Sequence, residues 1–500
     1  MRPSVFALSV TLAIGSANAN AQVVFVDSSA PPGGNGSAWG RAFDSLHDAL
    51  SAAMPGEQIW VRRGSYSPSV PAGRAATFAI PTGVQVYGGF AGGETSLGQR
   101  DPDSNTTELN GAGNDSYTVV TIAGDGAVLD GFTVTKGLAD GTGNPANSRG
   151  AGVYSDGNFG ILRNNFFINN TSNSEGAAVT VRQTPLSQTF IIEDCVFLAN
   201  TGFVTVSLGQ VARVEGCGFR DNDAGGLELK GQAAFTIADT SFVRHQGAIA
   251  ALVNTDPGSF VLFDECEFVD NNGSLAGAIR FGGSGQHEVR SSVFRGNEAT
   301  VSAAGGAITV DLPSESDRLL VDNSLMIGNT AFQGGGINKL GPGRLDVVNT
   351  TVVGNSVNGG IGGGMSLVDG DVTISNSIVF GNITDGSINN DLRASVFVSF
   401  TGPVSVLADR SIIQFLGQGL SPINATNSTN ADPMLVDPDG NDNTFGTADD
   451  NPRLAPRSPA IDAGDNDYLG FANGDVFGQI RLRDDTGTPD ADAAAVSGVG

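Results

Sequence analysis

Positive charge is scarce in this chain. Its 26 Lys and Arg stand against 52 Asp and Glu, a net charge of −26 over 500 residues. Such a surplus repels phosphate backbones and anionic lipid surfaces, which disfavours nucleic acid and anionic membranes as partners. Two Trp and five Tyr leave few flat rings on which a sugar could stack. Beyond the N-terminal leader, no apolar run reaches the roughly 18 residues of a membrane-crossing helix. Histidine occurs only as His47, His245 and His287, which restricts any acid–base chemistry that would rely on an imidazole. Ser-His-Asp, Cys-His, P-loop and dinucleotide patterns are absent in usable context.

What the chain has in quantity is glycine, 71 residues, and a repeat. Residues 260–310 hold two copies of one pattern: an apolar alternation, a small residue, Phe-x-x-Asn, a loop, then Gly-Gly-Ala-Ile or a variant. Phe268 and Asn271 return as Phe294 and Asn297. The same Asn column runs through Asn170, Asn200, Asn222, His245, Asn271, Asn297, Asn329, Asn355 and Asn382, with spacings between 22 and 32. Self-similarity at that period marks a solenoid. Phe167, Phe197, Phe219, Phe242, Phe268, Phe294, Met326, Val352 and Val379 form a second column. Ile192, Val214, Ile237, Phe263, Val289, Val321, Val347 and Ile374 form a third. Alternation of period two inside each copy predicts strands, and no copy contains a helix-length pattern. Each copy then reads as one coil of three short strands stacked about 4.8 Å from its neighbours. The residues before the small position, Asp194, Gly216, Asp239, Glu265, Ser291, Asn323, Asn349 and Asn376, suit a sharp corner. The repeated Asn is expected to hydrogen-bond backbone at a second bend and to form a ladder along the stack.

Phe-x-x-Asn alternating with Gly-Gly-Ala-Ile resembles the repeat of chlamydial polymorphic outer-membrane proteins, and more broadly the secreted bacterial right-handed parallel β-helix proteins. The resemblance covers roughly residues 23–485. It implies an all-β fold, a right-handed parallel β-helix with three strands per coil and a helix-containing N-terminal cap. The hand also follows from the preference of parallel crossovers. Activity is much less specified than fold by such a likeness.

Met1–Ala21 reads as a secretory signal: Arg2, the apolar run Val5–Ile14, then Ala19-Asn20-Ala21 with cleavage near Ala21. Residues 22–76 read as the cap, where Phe43, Leu46, Leu50 and Ala53 mark one apolar helix stripe, and His47 and Trp60 read as packing. Residues 77–415 read as the helix body, with an irregular Gly-rich excursion after strand 84–90 and RSIIQ (410–414) as the last core strand. Residues 416–500 form an irregular C-terminal region with an acidic loop.

Candidate chemistry is thin. Enzymes on this fold are chiefly polysaccharide lyases and glycoside hydrolases, and no histidine here sits in the Gly-His-Gly setting a galacturonase-like hydrolase would use. His245 replaces a ladder Asn and His287 an apolar column residue. A lyase needs carboxylates beside an Arg or Lys base. The nearest outward column is Glu193, Glu215, Ala238, Asp264, Arg290 and Asp322, whose first two carboxylates are expected about 5 Å apart, the separation of a retaining glycosidase. The densest set of oxygen ligands is Asp437, Asp439, Asn441, Asp442, Asp449 and Asp450. Hard calcium suits such a set, although Asp442 and Ala448 stand where an EF-hand has Gly and Glu; a solvated turn is the other reading. No catalytic residue is assigned. The sequence thus reads as a monomeric scaffold, secreted or on the bacterial cell surface or outer membrane, for extracellular carbohydrate or protein, with calcium as a candidate cofactor. The alternative is a polysaccharide lyase or glycoside hydrolase of the pectate-lyase-like class.

Cys195, Cys217 and Cys266 share one column with Ser292, Ser324, Thr350 and Ser377, so the position asks for a small buried group that a thiol satisfies. Native protein is therefore expected to resist thiol reagents at all three cysteines until it is unfolded. Rapid labelling would refute burial, and a mass lower by two hydrogens would reveal a Cys195–Cys217 bridge instead.

Overall fold

A computed structural model describes residues 22–68, 73–182, 188–223, 225–247, 249–301, 304–384, 396–398, 404–416, 423–465 and 475–476. The proposed signal segment lies outside these residues. Among them, three long sheets of 15, 13 and 12 strands run the length of the molecule, and successive strands within each are parallel. One coil illustrates the path. Phe260–Asp264 lies in the 15-stranded sheet, Glu267–Val269 in the 13-stranded sheet and Ile279–Phe281 in the 12-stranded sheet. The next coil repeats it one layer on, with Phe263 opposite Val289, Phe268 opposite Phe294 and Ile279 opposite Ile308. This is a right-handed parallel β-helix, the hand that parallel crossovers take.

The columns read from the sequence are the core. From Phe167 to Phe294 the six rings stack with centroids 4.4–5.0 Å apart, the spacing of adjacent strands. Met326, Val352 and Val379 continue the column, and the Ile192-to-Ile374 column faces it, fully buried throughout. Each coil alone would leave this apolar face wet, so stability comes from stacking.

Two bends per coil are solved by left-handed backbone. Asp194, Asp239, Glu265, Ser291, Asn323, Asn349 and Asn376 all have φ between 45° and 53°, and Gly216 has 64°. Past each first bend the small column forms a ladder. Ser292 donates its hydroxyl to the Arg290 carbonyl (2.6 Å) and accepts the Cys266 N–H (3.2 Å), and Ser324, Thr350, Ser377 and Ser411 repeat the arrangement. At the second bend the Asn ladder forms as expected. Asn297 Nδ2 donates to the Phe268 carbonyl and to Asn329 Oδ1, while its own Oδ1 accepts from Asn271. The three thiols take places in the small ladder. They are buried and unbridged, and burial pushes the Cys266 thiol up to about 12.

The structure adds a fourth side to the three-strand coil. Short segments such as Asn272–Gly273 and Glu298–Ala299 make a six-stranded ladder. The chain stays extended after each ladder position because the next N–H reaches the neighbouring coil's carbonyl, Glu298 to Asn271 for instance (2.8 Å). At the N-terminus, helix Leu46–Ala52 is capped by the Ser45 hydroxyl and buries Leu46, Ala49 and Leu50. Phe43 falls outside the expected stripe and bridges to Val26 instead. His47 packs on Phe78 and Trp60 stacks on Phe90, both as packing. At the other end, Ile412–Ile413 is not the last rung, since Ile423–Thr426 adds one more to the 15-stranded sheet.

His287 occupies an interior column between Val261 and Leu319 and packs on Phe281. Burial pulls its pKa from 6.5 down to about 4. The folded state therefore keeps the ring neutral where the unfolded chain would protonate it. Stability is retained above about pH 6.5 and lost progressively as pH falls towards about 4. His287→Leu is expected to recover about 2 kcal/mol of the stability lost between about pH 7 and about pH 5, read by urea denaturation at both values. An unchanged pH difference in the variant would show that His287 is not responsible.

Candidate functional site

A cleft of ≈ 380 Å³ lies where the Gly-rich excursion passes over a corner of the helix. Its walls are Leu97, Gly98, Arg100, Pro102 and Asp103 on the excursion, and Asn164, Phe166 and Asp194 on two successive coils. Local chemistry fixes the excursion. The Glu94 carboxylate accepts the N–H groups of Ala91, Gly92 and Gly93, and Trp39 Nε1 donates to the Glu94 carbonyl. Ser96 and Gln99 form a capping box over Leu97–Gln99. Arg100 then turns back into the helix, pairs with Asp130 at 2.5 Å and donates to the Gly88 and Asp130 carbonyls. Asn164, in left-handed conformation, donates to the same Asp130 at 3.0 Å. Phe166 points outward at the cleft, 39% exposed. The cleft thus offers an anchored guanidinium, one apolar ring and the carboxylates of Asp103 and Asp194. Its size suits a small ligand.

The column read from the sequence as outward is present in register, from Glu193 through Glu215, Ala238, Asp264 and Arg290 to Asp322, although Asp322 is buried. The two glutamates do not stand as a bare pair. Arg163 Nε lies 2.9 Å from Glu193, and Arg213 contacts both Glu193 and Glu215. Arg163 and Arg213 thus make an ion-pair ladder with Glu193 and Glu215, so these two carboxylates are already compensated.

A second charged group, invisible to the sequence reading, lies on the outer face of the 12-stranded sheet. Lys230 bridges Glu175 and Glu228, Arg149 approaches Glu175 at 3.8 Å, Ser207 donates to Glu228 at 2.8 Å, and Arg182 pairs with Asp156 at 3.2 Å. Three carboxylates and three cations from several coils meet there because the coil brings together residues dozens of positions apart. Lys339 was missed as well. It is fully buried, its ammonium donates to the carbonyls of Gly341 and Asp369, and burial pulls its pKa down to about 8.

The six residues read as a calcium set are divided. Asp442, Asp449 and Asp450 surround the Thr447 hydroxyl at 3.4, 2.8 and 3.2 Å. Asp450 also accepts the Gly446 and Thr447 N–H groups, and Asp449 that of Asn441. Asp437 and Asp439 contribute main-chain carbonyls, to the Gly440 and Thr444 N–H groups. Among the described residues no group of three or more His, Cys, Asp or Glu is arranged to hold a metal ion.

A family model described as a protein of unknown function (DUF1565) matches residues 33–237, which include both the cleft and the Lys230 group. No curated protein matches the chain. Among solved structures, pectate lyase Pel9A is 14% identical, with 89% of this chain and 91% of that one covered, at a TM-score of 0.31. A rhamnogalacturonan lyase is 9% identical over 87% and 97%, also at 0.31. At those scores neither bears on the site, and the topology stands on the strand order itself.

Because Glu215, Arg213 and Arg163 are each about 40% exposed, their ion pairs are solvent-screened. Glu215→Gln is expected to change stability by less than about 1 kcal/mol, with the change shrinking further in high salt. A larger, salt-insensitive loss in urea melts would mean that the carboxylate does more than take part in the ladder.

Proposed function

We propose that this chain is an extracellular, non-catalytic binding scaffold whose β-helix holds a neutral glycan in the cleft between residues 97–103 and the corner residues Asn164 and Asp194. The observation that supports this reading is the pairing of charge. In the Glu193–Glu215 ladder and around Lys230, the carboxylates lie against cations rather than standing ready to abstract or deliver a proton. The three histidines are packed, in the cap, in the Asn ladder and in the core. A polar cleft with one outward ring suits hydroxyl-rich ligands, the ring taking a sugar's apolar face. Asp103 and Asp194 in its walls, on a strongly acidic chain, disfavour polyuronates. The likeness of the repeat to polymorphic outer-membrane proteins, and a leader of secretory type, support a place outside the cell.

The Lys230 group favours a second reading as a polysaccharide lyase or hydrolase, since it gathers three carboxylates with cations on one face. A glycan array on the chain lacking residues 1–21, run beside an assay for polysaccharide cleavage, separates the two. Binding of neutral oligosaccharides without cleavage is expected. Phe166→Ala should weaken that binding roughly tenfold and Asp194→Asn should alter its selectivity. Cleavage products that vanish in Lys230→Met would overturn the scaffold reading.

A further inference from the structure

A solenoid has a mechanical weakness: each coil touches only its neighbours, so an end can fray one coil at a time. The segment beyond the last rung counters this. Strands Leu435–Asp437 and Asn451–Leu454 form an antiparallel hairpin, and its turn lies against the outside of the 13-stranded sheet. Leu435 and Phe445 pack on Val293, Leu325, Ile327 and Val353, outward residues of three successive coils. The tip passes across one row of corners, with Gly446 against Gly296 and Gly328 and the Phe445 ring against Gly354. Farther on, Asp465 exchanges two hydrogen bonds with Asn376 (2.9 and 2.8 Å) and lies 3.6 Å from Arg410. Residues 296, 328, 354, 376 and 410 belong to five consecutive coils.

The corner row carries the register of this contact in its composition. Every member has positive φ, yet upstream the row is Asn169, Ala199, Asp221, Arg244 and Asp270, and only from 296 onward is it Gly296, Gly328, Gly354 and Gly381. Left-handed backbone alone therefore does not demand glycine here. Close approach does, at Gly328 and Gly354. A Cβ on Gly328 would lie 2.4 Å from Gly446 backbone, and one on Gly354 would lie 2.1 Å from the Phe445 ring. Side chains upstream would bar the tip from those corners, so the hairpin has one place to dock. The outward positions beneath it turn apolar over the same span, with Val293 and Leu325 following Ser241 and Glu267 in register. The hairpin's own rigidity comes from Asp450, which accepts the Gly446 and Thr447 N–H groups and so fixes the tip.

We infer that residues 435–465 are a latch that makes the last five coils open as one unit instead of fraying in sequence. The carboxylates that look like metal ligands in the sequence are then the hydrogen-bonding frame that shapes the latch.

Hydrogen exchange on the full chain tests it, comparing Phe445→Ala, Gly328→Ala and the control Gly381→Ala. The control places a Cβ at the same positive φ, with nothing among the described residues closer than Val353 at 3.9 Å, so it carries the backbone strain without the clash. In the unaltered chain, the slowest amides of residues 293–413 should share one opening free energy. Phe445→Ala and Gly328→Ala should both split them into a gradient, with exchange roughly tenfold or more faster at the last coils. Gly381→Ala should keep the shared behaviour. An unaltered pattern in Phe445→Ala, or a Gly381→Ala gradient equal to that of Gly328→Ala, would overturn the inference. The cleft lies some coils upstream and takes no part in this experiment, so the outcome is independent of the ligand.

Discussion

Everything in this molecule depends on keeping successive coils in register. An error of one residue would turn each strand's core face to solvent. Apolar columns alone do not prevent such slips, because one Val or Phe packs on another in several offsets. The bends do. Each bend leaves buried backbone donors and acceptors that no strand ladder serves, and an unpaired buried group costs about 1–3 kcal/mol. The Asn ladder takes one such donor and one acceptor per coil with a side chain of a single fitting length. The hydroxyl ladder does the same on the other bend with shorter side chains. Slipping the register would leave whole rows of these groups without partners. The cysteines belong to this account. A thiol fits the hydroxyl's place and makes the weaker version of its bonds, Cys266 to the Ile237 and Asp264 carbonyls among them.

The fold was legible because the same constraint repeats at every coil and so writes itself into columns. The Phe, Asn, small-residue and corner columns all stand where spacing put them. Features that occur once were not legible in that way. The fourth ladder escaped because two extended residues give too little alternation to notice. The cleft depends on one excursion, and the Lys230 group on residues from Arg149 to Lys230 that approach only once the chain coils. The acidic loop is legible only as composition. Carboxylates that cap N–H groups and carboxylates that bind a cation have the same composition, and only geometry separates them. One signal for the latch was present in the sequence. The residue before the ladder Asn switches from Asn, Ala, Asp and Arg to Gly at 296 and stays Gly through 381. At Gly296, Gly328 and Gly354 the hairpin tip lies close by.

The outer surface follows from the same geometry. Parallel in-register stacking puts each outward residue about 4.8 Å from its equivalents above and below. A column of like charge on a chain of −26 would therefore repel itself along its whole length. Placing Arg163 before Glu193, and Arg213 beside Glu215, breaks that repulsion where carboxylates adjoin. Farther along, Asp346 lies between Arg318 and Arg344 in the same way. Few basic residues are available, and those named here lie against acidic neighbours on the stack. Part of the acidic surplus is left to places with no stacked equivalent, such as the excursion and the hairpin tip. A fold built from repetition thus concentrates its uncompensated charge where repetition fails. The excursion that carries Asp103 over the corner at Asp194 is one such place.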